Sequence, residues 1–245
     1  MQHVGVQSLL KAHIKNKTYL GANGVETQAL KDAQLTITEN SFTVFFGPSG
    51  CGKSTLLRIL AGLDSDYEGR VDWEHPPKVG MVFQEPRLLP WKTVKENILL
   101  SADPTFSDHE FNQLVEVVGL TEMLSHFPSE LSLGLSRRVA IARAFASKPN
   151  LLLLDEPFVS LDAPTAARLR QLVRTLWVDN PITAVMVTHD MREAVELGED
   201  VLLFTPRPGS IHERLKILPT DRANEASIEA KRSEVKSLYP HLFEE

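Results

Sequence analysis

Four short apolar runs punctuate the chain: "VGMVF" from Val79, "LLLLD" from Leu151, "AVMVT" from Ala184 and "VLLFT" from Val201. Each is apolar at consecutive rather than alternate positions and is shorter than a typical helix, the pattern of a strand buried on both sheet faces. Helical patterns lie between them, so the order predicts a largely parallel α/β sheet. Upstream, "QLTITENSFTVFF" holds two β-branched runs around a polar turn and predicts a hairpin entering the core. Between Trp91 and Ala146 no comparable strand signal occurs. There Leu135, Val139, Ala142 and Ala146 recur at i, i+4, i+7 and i+11, one face of a helix in an inserted helical lobe. After Pro206 the pattern fades into a turn, "PRPGS", and a charged tail expected to be helical and peripheral.

Length and charge narrow the classes. A chain of 245 residues with 42% hydrophobic positions can bury a sizeable core. Lys and Arg total 26 against 32 acids, a net charge of −6, so a broad basic face for nucleic acid or anionic lipid is not favoured and any anion must be bound locally. The single cysteine, Cys51, excludes an intrachain disulfide and a cysteine-rich metal site and fits a reducing compartment, with the cytoplasm as the expected location. The opening stretch "MQHVGVQSLLKAHIKNKTY" is broken by His and Lys too often for a signal peptide, and no run approaches the ~18 apolar residues of a membrane span. Membrane association is therefore expected to come through a partner.

The most specific chemistry lies in "GPSGCGKST", between the strand "FTVFF" and the helical pattern "LLRILAGL". Its residues Gly47, Pro48, Ser49, Gly50, Cys51, Gly52, Lys53, Ser54 and Thr55 form a phosphate-binding loop. Glycines let the backbone turn N–H groups toward phosphate oxygens, and the following helix N-terminus adds its positive dipole. Lys53 is expected to reach the β- and γ-phosphates of a nucleotide and the Ser54 hydroxyl to ligate Mg²⁺. Cys51 reads as a small loop residue rather than a reactive thiol. In "LLLLDEP" a buried strand ends in two acids at the carboxyl edge of the sheet, where Asp155 would hold Mg²⁺ through its water shell and Glu156 would polarise the attacking water as general base.

Together with "FQEP" from Phe83, "SLD" from Ser160 and "VTHD" from Val187, in this order and spacing, the chain resembles the nucleotide-binding domain of ABC transporters over nearly its whole length. The resemblance implies a P-loop ATPase fold of class α/β, with a largely parallel core sheet, an antiparallel β subdomain and an inserted α-helical subdomain. It implies ATP and Mg²⁺ as ligands. It makes Gln84 a sensor of Mg²⁺ and water, puts Asp162 at a dimer interface and His189 on the γ-phosphate, and places Tyr19, in "NKTYLG", on the adenine. Taken singly these residues also read as a polar strand end, a helix N-cap before "APTAARLRQLV", a satisfied histidine and an exposed tyrosine. The expected organisation is an ATPase domain over residues 1–205, with the helical lobe at about 91–146, followed by a tail over 206–245.

The family signature is Leu-Ser-Gly-Gly-Gln, and "LSLGL" matches it at Leu131, Ser132 and Gly134 while Leu133 and Leu135 replace the first glycine and the glutamine. The resemblance puts the Ser132 hydroxyl and the Gly134 N–H on the γ-phosphate of a second subunit. Leu133 requires a negative φ at its position, since a left-handed leucine costs roughly 1 kcal/mol or more.

"VFQEPRLLPWKTVKENILL" and "RPGSI" are similar to the ATPase subunits of nitrate, sulfonate and taurine importers. In them the stretch matching Gln84–Trp91 lies where the ATPase meets the membrane subunit, and the apolar cluster Leu88, Leu89, Pro90 and Trp91 suits such a contact. The expected partners are permease subunits, a second ATPase subunit in a homo- or heterodimer and, indirectly, an extracytoplasmic solute-binding protein, with the chain held at the cytoplasmic face of the membrane. Nucleic acid is not expected. A soluble ABC ATPase acting on nucleic acid is disfavoured by the charge and the single motif set. A degenerate regulatory subunit rests on "LSLGL" alone.

Overall fold

The computed structural model describes residues 7–21 and 24–243. In chain order the elements are β1 (Ser8–Leu20), β2 (Glu26–Thr38), β3 (Phe42–Phe46), α1 (Lys53–Leu60), β4 (Glu68–Trp73), β5 (Val79–Val82), α2 (Val94–Leu99), α3 (Asp108–Val118), α4 (Leu133–Ala146), β6 (Leu151–Asp155), α5 (Ala163–Asp179), β7 (Thr183–Thr188), α6 (Met191–Leu197), β8 (Asp200–Phe204), β9 (Ile211–Lys216) and α7 (Glu225–Leu238). They form two compact units, Met1–Pro76 with Thr183–Glu245, and Pro77–Ile182.

The first unit carries two sheets. One runs β2–β1–β4 and is antiparallel throughout. In the other, β3 lies between β7 and β8 with all three parallel, and β9 closes the edge antiparallel to β8. All five residues of β3, "FTVFF", are buried, as a strand covered on both faces demands. In β2 the alternate residues Ala33, Leu35 and Ile37 are buried while their neighbours are not, the period of a strand covered on one face. This difference corrects the expected hairpin: "QLTIT" and "FTVFF" are both strands, but β2 pairs with β1 and β3 with β7 and β8. A half-buried and a fully buried strand belong in different sheets.

β9 lies in the stretch where the sequence pattern fades. Its "IHERLK" has no buried residue, so nothing apolar marks it, and its charged side chains are those of a protected sheet edge.

In the second unit β5 and β6 pair in parallel, with Val82 opposite Leu154. Between Trp91 and Ala146 the structure holds α2, α3 and α4 and no strand among the described residues, as the sequence leads one to expect. Val139, Ala142 and Ala146 of α4 are fully buried, and Leu135, at the helix start, is half-buried. Thr93 and Ser107 each open their helices with a reciprocal capping box, to Glu96 and Glu110.

Candidate functional site

The phosphate loop leaves β3 at Phe46. Gly47, Gly50 and Gly52 have φ of 159°, 73° and 106°, and the last two lie in the left-handed region that favours glycine. A Cβ on Gly52 would stand 2.5 Å from the Ala29 carbonyl oxygen, so this position excludes any side chain. Gly52 is also the N-cap of α1 and supplies no side-chain cap, so the first-turn N–H groups of the helix are left to a ligand. Lys53 is 3% exposed, and its Nζ donates to the carbonyls of Gly47 at 2.7 Å and Pro48 at 2.8 Å. These bonds and a contact with Cys51 Sγ at 3.7 Å hold the buried ammonium against its own loop, and a phosphate reaching it would take over some of them. Burial pushes the Cys51 thiol up and the nearby Lys53 only partly opposes it, so Cys51 stays a neutral loop residue.

A second loop braces the first. Arg207 Nε donates to the Gly50 carbonyl at 2.9 Å, while Gly209 N donates to Ala29 O at 2.9 Å and Gly209 O accepts from Lys31 N at 3.0 Å. "RPGSI" thus ties the phosphate loop to β2 from the end of β8.

Tyr19 is held at the same end of the unit. Its hydroxyl donates to Asp64 Oδ2 at 2.9 Å and lies 3.5 Å from Thr55 Oγ1 of the phosphate loop. Lys17 Nζ lies 4.5 Å from the ring centroid and donates to Asp64 Oδ1 at 2.9 Å. Burial works against charge on both partners, yet their mutual bonds hold the Lys17 ammonium above its ordinary range and the Asp64 carboxyl below its own. The ring is fixed by its hydroxyl and one cation and remains 40% exposed.

His189 follows β7 directly. Because Phe46 is opposite Thr188 in the parallel register, Gly47 and His189 leave neighbouring strands at the same level, and His189 is exposed there. The second unit repeats this geometry. Val82 is opposite Leu154, so Phe83 and Gln84 leave β5 level with Asp155 and Glu156 at the end of β6. Chemistry at the carboxyl ends of parallel strands is the rule for open α/β sheets.

Glu156 has φ of +44° and Ser160 of +62°, left-handed values that cost a residue other than glycine roughly 1 kcal/mol or more each. Asp162 is the N-cap of α5, with its Oδ1 accepting from Thr165 N at 3.0 Å, and the Thr165 hydroxyl first and this N–H second draw the carboxyl below its usual range.

In the signature segment Ser132 is the N-cap of α4, and its Oγ accepts from Leu135 N at 3.3 Å. The hydroxyl hydrogen is thereby left to donate outward at a helix N-terminus. Leu133 is the first helical residue and is not among the residues of positive φ, so the missing glycine is met by ordinary helical backbone. Gly134 packs tightly: a Cβ there would lie 2.9 Å from Thr165 Cγ2.

The stretch from Gln84 to Trp91 is a held platform. Arg143 of α4 donates to Pro86 O at 2.8 Å and Arg87 O at 2.9 Å, and the fully buried Asn97 bonds both the N–H and the C=O of Leu89. From it Trp91 projects 70% exposed, while Leu88 and Leu89 are half-buried. Arg143, Asn97, Lys17 and Asp64 escape a reading by motif. Arg143 could have drawn notice as a charge inside the apolar run "VAIARAFA", since a buried guanidinium needs partners.

The ABC transporter family model matches residues 30–159. The aliphatic sulfonates import ATP-binding protein SsuB of Bacillus licheniformis is 42% identical over 84% of this chain and 83% of its own length. The aliphatic sulfonates import ATP-binding protein SsuB 1 of Pseudomonas savastanoi pv. phaseolicola is 42% identical over 88% of this chain and 90% of its own. Among solved structures, the dimeric post-hydrolysis state of the ATP-binding cassette MJ0796 bound to ADP and Pi superposes with a TM-score of 0.73 at 32% identity, covering 85% of this chain and 99% of that one. The chain belongs to the ABC transporter family as one of its ATP-binding, ATP-hydrolysing subunits.

Proposed function

We propose that this ATPase drives an importer of small organic anions of the sulfonate class, docked at the cytoplasmic face of the membrane onto a separate permease. The observation that carries the reading is the 42% identity, over more than four-fifths of both chains, to proteins named for aliphatic sulfonate import. No helix among the described residues is long and apolar enough to cross a membrane.

In this reading Tyr19 stacks on adenine, the backbone N–H groups of the Gly47–Thr55 loop and the Lys53 ammonium bind the phosphates, and Ser54, Gln84 and Asp155 are the residues that would hold Mg²⁺. That donor set suits a hard cation that takes its remaining ligands from phosphate and water, and such an ion would supply charge neutralisation at the phosphates. Glu156 accepts the proton of the attacking water, and His189 steadies the γ-phosphate. Ser132 and Gly134 cap the γ-phosphate of a second subunit's ATP, with Asp162 at the pair's interface, so binding closes the pair and hydrolysis reopens it. This work is assigned to an ATPase domain over 1–205 with its helical lobe at about 91–146, followed by a tail over 206–245. The cycle passes to the permease through Gln84–Trp91, where the exposed Trp91 indole on its fixed turn is the anchor.

The test is sulfonate uptake in the native host. Deleting the gene should abolish growth on an alkanesulfonate as sole sulfur source, and the wild-type chain should restore it while Trp91→Ala should not. Growth of the deletion strain at the normal rate would remove the sulfonate assignment.

A further inference from the structure

Arg137 lies on α4 five positions past Ser132, and it is 3% exposed despite its charge. Its guanidinium donates from Nη1 to Pro157 O at 2.8 Å and to Glu156 O at 3.4 Å, and from Nη2 to Val159 O at 2.7 Å. One planar fork therefore grips three carbonyls in the four residues that follow Asp155. This same segment starts at Glu156 in the left-handed region and is followed by Ser160, also left-handed. A glutamate keeps such a backbone only where its surroundings over-determine it. The Glu156 carbonyl accepts from Val159 N at 3.4 Å as well, and Arg137 ties it and the carbonyls of Pro157 and Val159 to a helix, so these bonds together oppose relaxation to an extended or right-handed conformation.

The backbone conformation at residue 156 sets the direction of its Cα–Cβ bond and so the place of its carboxylate. We propose that Arg137 is a positioning residue for catalysis, holding Glu156 in the strained conformation that aims its carboxylate at the attacking water. The proposal rests on the assignment of Glu156 as the general base. Because Arg137 and Ser132 share one helix, the fork also makes the signature helix and the base move as a single piece, so a shift of α4 is passed to the base without passing through nucleotide. The rigid geometry of guanidinium matters here, since a lysine offers a point charge on a flexible stem and cannot span three carbonyls.

The experiment measures steady-state Mg·ATP hydrolysis by the full chain as wild type, Arg137→Met and Arg137→Lys, each with and without Glu156→Gln, alongside affinity for a non-hydrolysable ATP analogue. Arg137→Met should lower kcat about 10- to 100-fold, the penalty expected for a reacting group displaced by about an ångström, with KM and analogue affinity changed less than about threefold. Arg137→Lys should recover part of the rate. In the Glu156→Gln background Arg137→Met should lower the residual rate by less than about twofold, because the group it positions is gone. The proposal is overturned if Arg137→Met keeps kcat, or if it lowers the Glu156→Gln residual rate by its full factor. Should Arg137→Met fail to fold, Arg137→Lys decides by itself: kcat unchanged from wild type overturns the proposal. Full turnover by Glu156→Gln alone would instead sink the general-base assignment, an outcome distinct from a failure of Arg137.

Discussion

Phe46 and Thr188 face each other in the parallel register of β3 and β7, so the phosphate loop and His189 emerge side by side from one sheet edge. Neither depends on a flexible loop for its level: both follow directly on buried strands. His189→Ala should therefore lose turnover about 10²- to 10³-fold, the cost of one preorganised donor at a developing charge, with nucleotide affinity little changed. Phosphate release together with analogue binding checks it. A parallel fall in affinity would make His189 a ground-state binding group.

Tyr19 is tied to Asp64 and Lys17 independently of any nucleotide. Its ring is held in place by these contacts, so the proposed stacking on adenine would cost little ordering entropy. Removing it should cost about 1–3 kcal/mol, a rise in the ATP dissociation constant of roughly 5- to 150-fold, the range for a base on an aromatic platform. Tyr19→Phe keeps the face and loses only the Asp64 bond, so titration calorimetry should place it near wild type. Equal loss in Tyr19→Phe would show that the hydroxyl contacts matter and the stacking does not.

Glu110 gives the second unit a pH signature. The Lys148 ammonium at 2.6 Å and the Ser107 N–H and hydroxyl, each at 2.8 Å, hold its carboxyl down at about 2, from an ordinary 4.5. A carboxyl depressed on folding adds stability that is complete above its unfolded value and is lost as pH falls from there through the folded value. Glu110→Gln should lower the thermal midpoint at about pH 7, and the difference from wild type should shrink as pH drops from about 4.5 toward about 2. A difference that stays constant across that range would contradict the assignment.

The signature segment keeps its two donors. Ser132→Arg or Gly134→Asp should stop ATP-driven uptake, since each puts bulk or negative charge where a γ-phosphate is expected. Leu133→Gly and Leu135→Gln should leave uptake intact or raise it, because α4 already begins with helical backbone at Leu133. Gly134→Ala, whose methyl would press only on the end of Thr165, is the steric control. Normal uptake by Gly134→Asp would take this segment off the γ-phosphate.

How far these features could be read in advance depended on what marks them. β6, β7 and β8 are buried almost throughout and show as unbroken apolar runs, β5 shows as one although Val79 and Met81 are only half-buried, and the phosphate loop shows because only its glycines permit its backbone. The partners of β2 and β3 did not show, since strand identity is local and pairing is not. β9 did not show because an exposed edge strand carries no apolar pattern. Arg137 was hidden for a related reason: in "LSLGLSRRVAIARA" it looks like the neighbour of Arg138 on a solvated face, and only its three carbonyl partners reveal a buried cation.

Glu156 is the residue proposed to activate the attacking water. Purified Glu156→Gln should bind an ATP analogue as tightly as wild type and release phosphate at least about 10²-fold more slowly, the contribution of one positioned general base. Phosphate release at the wild-type rate would contradict it.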